Sequence, residues 1–285
     1  LGPRDRPRAA EGRLHARSLY GTLVLLVLVS LLPVLALLVS LYYSWYQTRR
    51  GEEFQANLEV ARAVATAFDA AVGDIVHQEM ALGLALTWPE PLPAEQASQL
   101  LSASAREYPF LLRWNWLDPQ GRVAASSEPA AIGTDLSDRP HYREIVAGRE
   151  WYVSDLFLTR VGGEPAFAIS RGIRDPNGGL RGIVVAVVQP ERLEAILSVT
   201  RTTGGAFALF DREGRCVYRH PGAPPTWAQR EAWQRFPLVR RALAAHETTG
   251  TFTSPVDGQE HMAGLTPITR IGWVAMASRP TSEAL

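Results

Sequence analysis

The sequence predicts an α+β fold: one N-terminal transmembrane helix, a long stalk helix, and two tandem modules that each hold a five-stranded antiparallel sheet flanked by helices. Three observations predict it. An uncharged apolar run stands near the start of the chain, a proline-free segment with a regular apolar stripe follows, and a strand–turn–strand motif then occurs twice. The predicted boundaries are residues 1–18 for a basic tail, 19–46 for the transmembrane helix, 47–88 for the stalk, and 89–197 and 198–280 for the two modules.

The run from Leu19 to Trp45 is long enough to cross a bilayer. At about 1.5 Å per residue, a helix of this length spans roughly 40 Å, against a hydrocarbon core of about 30 Å. Aromatic residues cluster at its C-terminal end, where amphipathic rings prefer the headgroup region. A cleaved signal peptide would have an apolar region of about 7–15 residues and a small-residue cleavage site, and neither is present. The run therefore predicts a membrane anchor, with the lipid bilayer as a partner.

Charged residues on the two sides of the anchor predict its orientation, because excess arginine stays on the cytoplasmic side. Only Arg49 and Arg50 follow the run closely. Five arginines precede it: Arg4, Arg6, Arg8, Arg13 and Arg17. We therefore expect a cytoplasmic N-terminus, a single pass through the membrane in this segment, and export of the larger C-terminal part.

The composition excludes several classes of function. The net charge is zero and no basic cluster lies outside the N-terminal tail, so nucleic acid is not an expected partner. All 29 basic residues are arginine, which excludes a Walker-type phosphate loop and a Schiff-base lysine. Cys216 is the only cysteine, so neither an internal disulfide nor a cysteine-based zinc cluster can form.

Motifs for catalysis are missing as well. The six histidines show no metal-ligand spacing, and no G-x-S-x-G motif, H-E-x-x-H motif or glycine-rich dinucleotide loop occurs. We therefore predict no catalytic residues, no metal site and no cofactor, and we expect that this segment is not an enzyme.

The segment from Gly51 to Trp88 predicts one long helix with a single apolar stripe, because apolar or small residues recur at alternating steps of three and four. The stripe consists of Phe54, Leu58, Ala61, Ala65, Phe68, Val72, Ile75, Leu82 and Leu86, with Glu79 where the pattern is broken. The stripe packs either on the helix's own domain or in a coiled coil at the axis of a homodimer. We favour a mixture in which packing dominates, because Ala61 and Ala65 make a weak coiled-coil seam.

A repeated hairpin predicts the two modules. A D-x-x-G-R turn joins two apolar strands at residues 118–122 and again at 211–215, and aspartate followed by a late glycine is typical of a type I turn. A short helix is expected at 94–107, before the first hairpin. Each hairpin is followed by a helical stretch, at 138–147 and 229–245, and then by three more strands. This ordered repetition indicates two like modules in tandem.

Three segments of the first module carry a resemblance to a known family. They are Gly133–Tyr142, Ala147–Asp155 and Asp175–Ile183. In them the chain resembles the double Cache family, the tandem PAS-like extracytoplasmic sensor domains of bacterial histidine kinases, diguanylate cyclases and chemoreceptors. The resemblance covers nearly everything from the stalk to Ala277. It implies a first module distal to the bacterial inner membrane that binds a small molecule, a second module proximal to it, a periplasmic or extracellular location, and a second spanning helix beyond Leu285.

The same resemblance bears on the ligand. Arg149, Trp151 and Tyr152 match the R-x-W-Y core of an amino-acid-binding subset of the family. That subset also expects an aspartate near the end of the fifth strand and a tyrosine on the fourth, where this chain has Val187 and Phe167. We therefore expect an organic acid or another anion as the ligand rather than an amino acid.

We expect the ligand pocket in the first module, between the open face of its sheet and a cap formed by residues 138–150. Arginine matches a carboxylate in bidentate fashion, aromatic rings form an apolar wall, and hydroxyl groups add polar contacts. The predicted ligand-binding residues are Arg139, Tyr142, Arg149, Trp151, Tyr152, Ser154, Phe167 and Ser170. Strand alternation places Trp151 and Tyr152 on opposite faces, so not all of these residues can line one pocket. Arg139 could instead pin the cap by bonding to Asp138 or to the backbone.

The function predicted from these features is extracytoplasmic small-molecule sensing by the N-terminal part of a membrane-bound receptor, with a sensor histidine kinase favoured. Two alternatives stay open. One is a membrane-anchored protein-interaction module that binds no small molecule. The other is the input domain of a diguanylate cyclase or a chemoreceptor.

Overall fold

The computed structural model describes residues 11–197, 205–244 and 246–284. The first part of the predicted basic tail, residues 1–10, and the start of the predicted second module, 198–204, lie outside these ranges. The chain divides into two compact units, which are residues 1–52 with 285, and residues 53–284.

Helix α1 runs from Glu11 to Thr87. Its apolar part is long enough and apolar enough to cross a membrane, with a mean hydropathy of 3.0 over its best window. From residue 21 to residue 44 every side chain is exposed, among them many leucines and valines. Among the described residues this is the only helix of this kind, and its N-terminal place agrees with the predicted anchor.

The first sheet follows α1 and the short helix α2 (Ala94–Ala105), which agrees with the helix expected at 94–107. The strands of this sheet are β1 (Leu111–Leu117), β2 (Val123–Ser126), β3 (Trp151–Val153), β4 (Phe157–Leu158), β5 (Pro165–Arg174) and β6 (Leu180–Val188). The order is β2-β1-β6-β5-β3, all antiparallel, and β4 adds a short sixth strand beside β5. Helix α3 (Pro140–Val146) lies between β2 and β3 in sequence and is shorter than the helical stretch predicted at 138–147.

The second sheet has the same strand order as the first. Its strands are β7 (Ala206–Phe210), β8 (Cys216–His220), β9 (Thr248–Thr253), β10 (Glu260–Ile268) and β11 (Trp273–Pro280), arranged as β8-β7-β11-β10-β9. The predicted pair of antiparallel sheets is therefore confirmed, with six strands rather than the predicted five in the first sheet. A final short helix, α6 (Thr281–Ala284), follows β11.

The helical stretch predicted at 229–245 is broken in the structure. Helix α4 (Trp227–Ala232) passes into a 3-10 turn (Trp233–Arg235), and helix α5 (Pro237–Leu243) starts afresh. Pro237 is the reason, because its ring disfavours helical backbone at Phe236, which adopts an extended conformation with φ −75° and ψ 121°.

The apolar stripe of α1 is buried against the chain's own two sheets, as the first interpretation of the stripe proposes. Phe68 is 1% exposed and packs on Phe167 of the first sheet and Trp273 of the second, with ring centroids 6.0 and 5.4 Å away. The stripe is therefore not available for a coiled coil with a second copy. A homodimer through α1 would have to use the opposite face of the helix, and it stays a prediction.

The two D-x-x-G-R turns have the same internal hydrogen bonds. Asp118 Oδ1 accepts the backbone N–H groups of Gln120 and Arg122. Asp211 Oδ1 accepts those of Glu213 and Arg215 in the same pattern. The glycine of each turn has a positive φ, 88° at Gly121 and 80° at Gly214, which only glycine adopts without strain. The repeat seen in the sequence is therefore a repeat in structure.

Candidate functional site

The two faces of the first sheet differ in character. On β1, Trp114 faces α1, whereas Arg113 and Asn115 point to the opposite side, because side chains alternate along a strand. Arg113 and Asn115 are both buried, at 7% and 1% exposure. A charged and an amide side chain thus lie under cover on the face away from α1.

A cavity of about 20 Å³ lies on this face. It is closed by the segment that leads into α3 and by the turn that follows β4. Its lining residues are Arg113, Asn115, Val123, Ala131, Thr134, Leu136, Arg139, His141, Phe157, Thr159, Arg160, Val161 and Val187. This is the region between the sheet face and the cap in which the sequence predicts a pocket, and we call it the first-sheet cavity.

Three arginines face the first-sheet cavity. The Nε atoms of Arg113 and Arg139 are buried and have no hydrogen-bond partner within the described structure. Burial lowers the pKa of both guanidinium groups, and at Arg139 the neighbouring Arg160 lowers the pKa further. Arg160 is more exposed and pairs with Asp138 at 2.5 Å. The cavity is therefore a site of concentrated and incompletely compensated positive charge.

Arg139 is held by the backbone and by an aromatic ring. Its guanidinium donates to the carbonyl of Leu158 at 3.3 Å and lies 5.1 Å from the ring centre of Phe157. Asp138 binds Arg160 instead. The backbone bond matches one form of the predicted structural pin, while the unpartnered Nε leaves a donor for a ligand.

His141 contributes a neutral polar group to the same cavity. It is 2% exposed, and neither ring nitrogen has a hydrogen-bond partner among the described residues. Burial lowers the pKa of the imidazole to about 3, and the charge of Arg139 contributes to the lowering. The ring stacks on Phe157 with centroids 5.7 Å apart. His141 can therefore donate one hydrogen bond and accept another without adding charge.

The three hydroxyl groups predicted for the ligand are bonded to the backbone. Tyr142 donates to the carbonyl of Pro119 at 2.8 Å. Ser170 donates to the carbonyl of His141 at 3.1 Å. Ser154 donates to the carbonyl of Asp155 and accepts the N–H of Ala168, both at 2.9 Å. These bonds stabilise the loops around the sheet.

Arg149, Trp151 and Tyr152 lie apart from the first-sheet cavity. They line an open cleft of about 580 Å³ whose other wall belongs to the second module, at residues 269–272 and Arg212. Arg149 pairs with Glu144 at 2.7 Å and lies 5.6 Å from the ring centre of Tyr152. Of the predicted binding residues, Arg139 therefore lines the first-sheet cavity, Arg149, Trp151 and Tyr152 line the cleft, and the hydroxyl-bearing Tyr142, Ser154 and Ser170 line neither.

Phe167 belongs to neither place. It is fully buried on the face of the first sheet that packs on α1, with its ring centroid 5.0 Å from that of Trp273. The expected position on the pocket wall is corrected here: β5 alternation turns Ala166 and Ala168 toward α3 and Phe167 toward the core.

A family model described as a Cache domain matches residues 47–285. The chain belongs to the Cache family. A Cache domain is an input domain that has no catalytic activity of its own.

Solved structures share the Cache fold with this chain. The ligand-binding domain of the Pseudomonas fluorescens chemoreceptor CtaA, in complex with L-isoleucine, is 17% identical with a TM-score of 0.64, over 85% of this chain and 98% of that chain. The extracellular domain of rpHK1S-Z16, described as a histidine kinase, is 21% identical with a TM-score of 0.62, over 84% and 97%. The ligand-binding domain of the Campylobacter jejuni chemoreceptor Tlp3, in complex with 4-methylisoleucine, is 14% identical with a TM-score of 0.59, over 83% and 94%. No curated protein matches the chain.

The second Cache module differs from the first on the corresponding face of its sheet. The face of its sheet that corresponds to the first-sheet cavity is filled by aromatic rings, with Trp233 at the centre. Trp233 lies 5.3 Å from Phe210, 4.8 Å from Phe236 and 5.6 Å from Phe252, measured between ring centroids. A close-packed core leaves little room for a ligand.

Sequence reasoning missed Arg113, His141 and Arg160, which line the first-sheet cavity. A signal for Arg113 was present, because the alternation that puts Trp114 and Trp116 on one face puts Arg113 on the other. No comparable signal marks His141 or Arg160, since each lies in a loop or at a helix start whose position depends on the tertiary fold.

Proposed function

We propose that this chain is the extracytoplasmic sensing module of a membrane-bound receptor, and that its first module binds a compact anion such as a small organic acid. The observation that carries the proposal is the first-sheet cavity. It is lined by Arg113, Arg139 and Arg160, and no acidic side chain lines it among the residues that the structure describes.

The free-energy cost of burying arginine donors without a partner favours the binding of an anion. A buried donor without a partner costs about 1–3 kcal/mol, and more when it is charged. The Nε groups of Arg113 and Arg139 are such donors. A carboxylate between them would accept two charge-assisted hydrogen bonds, which are about twice as strong as neutral ones.

The size of the cavity limits the ligand. About 20 Å³ holds roughly one water molecule, so any organic anion needs the lining to move outward. The part of the lining best placed to move is the exposed turn from Arg160 to Gly163, which joins β4 to β5. A compact anion with one or two carboxylates requires the least movement.

An amino acid fits this cavity less well. Its ammonium group needs an acceptor with negative charge, and Val187 lies in the lining where the amino-acid-binding subset has an aspartate. The chemoreceptors CtaA and Tlp3 were crystallised with isoleucine or its methyl derivative, and those ligands belong to those proteins. For this chain the charge of the lining favours an anion without an ammonium group.

A thermal-shift experiment on the full chain in detergent micelles tests the proposal. Acetate, malonate, succinate, inorganic phosphate and L-isoleucine serve as probes, because a ligand that binds only the folded state raises the Tm. We expect at least one of the organic anions to raise the Tm and L-isoleucine to leave it unchanged. Arg139→Gln should remove the shift.

Arg149→Gln is the matched control, since it removes an arginine from the cleft and leaves the first-sheet cavity intact. It should preserve the shift. The reverse pattern, with binding lost only in Arg149→Gln, would place the binding site in the cleft instead. A shift with L-isoleucine alone, or with none of the probes, would contradict an anion-sensing function.

We further propose that the chain forms the input part of a sensor histidine kinase. The likeness to the extracellular domain of rpHK1S-Z16 supports this choice. The reading frame that encodes this chain provides the test. A phosphoacceptor-histidine helix after a second spanning helix would support the kinase. A cyclase domain or a methyl-accepting coiled coil would contradict it and identify the receptor as a cyclase or a chemoreceptor.

A further inference from the structure

A short connector, residues 154–158, joins β3 to the end of β4 and touches both Cache modules. One end contributes Phe157 to the first-sheet cavity. The middle of the connector, Asp155 and Leu156, is bonded to the D-x-x-G-R turn of the second module. The connector therefore contacts both the first-sheet cavity and the second module within one short segment.

The bonds to the second module come from two adjacent residues of its turn. The backbone N–H of Leu156 donates to Asp211 Oδ2 at 3.1 Å, and both residues are buried. The carboxylate of Asp155 accepts the backbone N–H of Arg212 at 3.1 Å and its Nε–H at 3.3 Å. These are charge-assisted hydrogen bonds in a partly dehydrated setting, where they are stronger than neutral ones.

Arg212 extends the same link to β3. Its guanidinium donates to the carbonyl of Val153 at 2.6 Å and to the hydroxyl of Tyr152 at 2.7 Å. It also donates to the carbonyl of Ile271, in the turn between β10 and β11, at 2.8 Å. One side chain thus binds the end of β3 in the first module and a turn of the second.

The other end of the connector is part of the cavity wall. Phe157 stacks on His141 and lies under the guanidinium of Arg139, one residue away from the Leu156 N–H that binds Asp211. Asp118 and Asp211 both use Oδ1 for bonds inside their own turns, but within the described structure only Asp211 also uses Oδ2 to bond the other module. The second copy of a repeated turn has therefore become a contact between modules.

We propose that residues 154–158 couple the first-sheet cavity to the second module through Asp211 and Arg212. An anion that draws Arg139 away from Phe157 changes the packing of that ring. Because close-packed interiors transmit displacement rather than absorb it, the connector shifts against Asp211 and Arg212. That this coupling transmits ligand binding rests on the proposed function. The coupling itself does not require a ligand.

Hydrogen exchange of the full chain in lipid nanodiscs tests the coupling without a ligand. Phe157→Leu perturbs the cavity wall while it keeps an apolar side chain. We expect it to accelerate exchange at residues 206–216 of the second module by about 5-fold or more, the lower range of coupling between distant sites. In the Arg212→Gln background the acceleration should stay within the first module.

Two control variants separate coupling from general loosening. Glu213→Gln changes another side chain of the same turn, whose ion pair with Arg215 stays inside the second module, and it should leave the accelerated exchange at residues 206–216 intact. Val123→Ala alters the cavity wall on β2, away from the connector, and should not affect residues 206–216. The proposal is overturned if Phe157→Leu leaves the exchange rate at residues 206–216 unchanged, or if exchange there is still accelerated in the Arg212→Gln background. Since no anion is added, these outcomes are independent of the thermal-shift result.

Discussion

Glu79 of α1 accepts the backbone N–H of Ala186 on β6 at 3.2 Å, across the interface between the helix and the first sheet. Its side chain is fully buried, and its second carboxyl oxygen has no partner within the described structure. Burial raises the pKa of this carboxyl well above 4.5, against the lowering effects of the Ala186 N–H and of Arg171. The residue that interrupts the apolar stripe in the sequence is thus part of the core, where burial favours its neutral form.

The raised pKa of Glu79 predicts how stability depends on pH. In the unfolded chain the carboxyl titrates near 4.5. Because its pKa is higher in the folded state, the stabilisation is complete below pH 4.5 and is lost as the pH rises toward the folded pKa. The facing cation, Arg171, offsets only part of this loss, since it is also bonded to Val76 and Glu150. We expect the Tm of the full chain to fall across this range as the pH increases.

Glu79→Gln should remove this part of the pH dependence of stability, because the amide keeps the acceptor for Ala186 and does not ionise. Thermal unfolding followed by tryptophan fluorescence at about pH 4.5 to 9 measures this pH dependence, a range that covers the pKa of roughly 8–9 documented for buried glutamates. Glu59→Gln, an exposed position on the same helix, should keep the pH dependence of the parent chain. An unchanged pH profile in Glu79→Gln would contradict the prediction.

A second prediction separates the structural role of Phe167 from a role in binding. The ring contacts Phe68 of α1 and Trp273 of β11, so it joins the helix to both sheets. Phe167→Ala should lower the free energy of unfolding by about 3–5 kcal/mol through the cavity that it leaves. Urea unfolding of the full chain measures the loss, with Trp88→Ala, 68% exposed, as a control near zero. A Phe167→Ala variant that is as stable as the parent chain but binds anions more weakly would show that Phe167 belongs to the ligand site.

Local chemistry was predictable from the sequence. The two D-x-x-G-R turns form as predicted because Asp118 and Asp211 bond to N–H groups two and four residues away, which depends on the turn alone. The stripe on α1 was visible because helical periodicity depends only on spacing. Its partner was not predictable, since spacing does not say whether a stripe meets a sheet or a second helix.

The site was less predictable because it depends on distances between elements. Arg139 and Arg149 stand on either side of the seven-residue helix α3, which sends one to the first-sheet cavity and the other to the cleft. Arg212 meets Asp155 although 57 residues separate them. No periodicity marks such pairs, and only the packing of the two modules brings them together.

The arginine asymmetry around the apolar run makes a prediction about topology. Alkaline phosphatase, which is active only outside the cytoplasm, should be active when it is fused after Leu285. The same reporter fused before Leu1 should be inactive, since we expect the N-terminus in the cytoplasm. An active N-terminal fusion with an inactive C-terminal one would reverse the orientation and place the Cache modules in the cytoplasm.

The last prediction concerns two glycines where α1 meets the second module. A Cβ on Gly264 of β10 would lie 2.4 Å from the backbone nitrogen of Leu58, so the helix would have to move away from the sheet. Gly264→Ala should therefore cost about 1–3 kcal/mol, the usual penalty for overpacking. Gly73 lies inside α1, and a Cβ there meets only the flexible end of Arg270 at 3.4 Å. Gly73→Ala should instead stabilise the helix by up to about 1 kcal/mol. Urea unfolding of both variants measures the difference in sign. A Gly264→Ala variant as stable as the parent chain would mean that α1 is not seated this closely on β10.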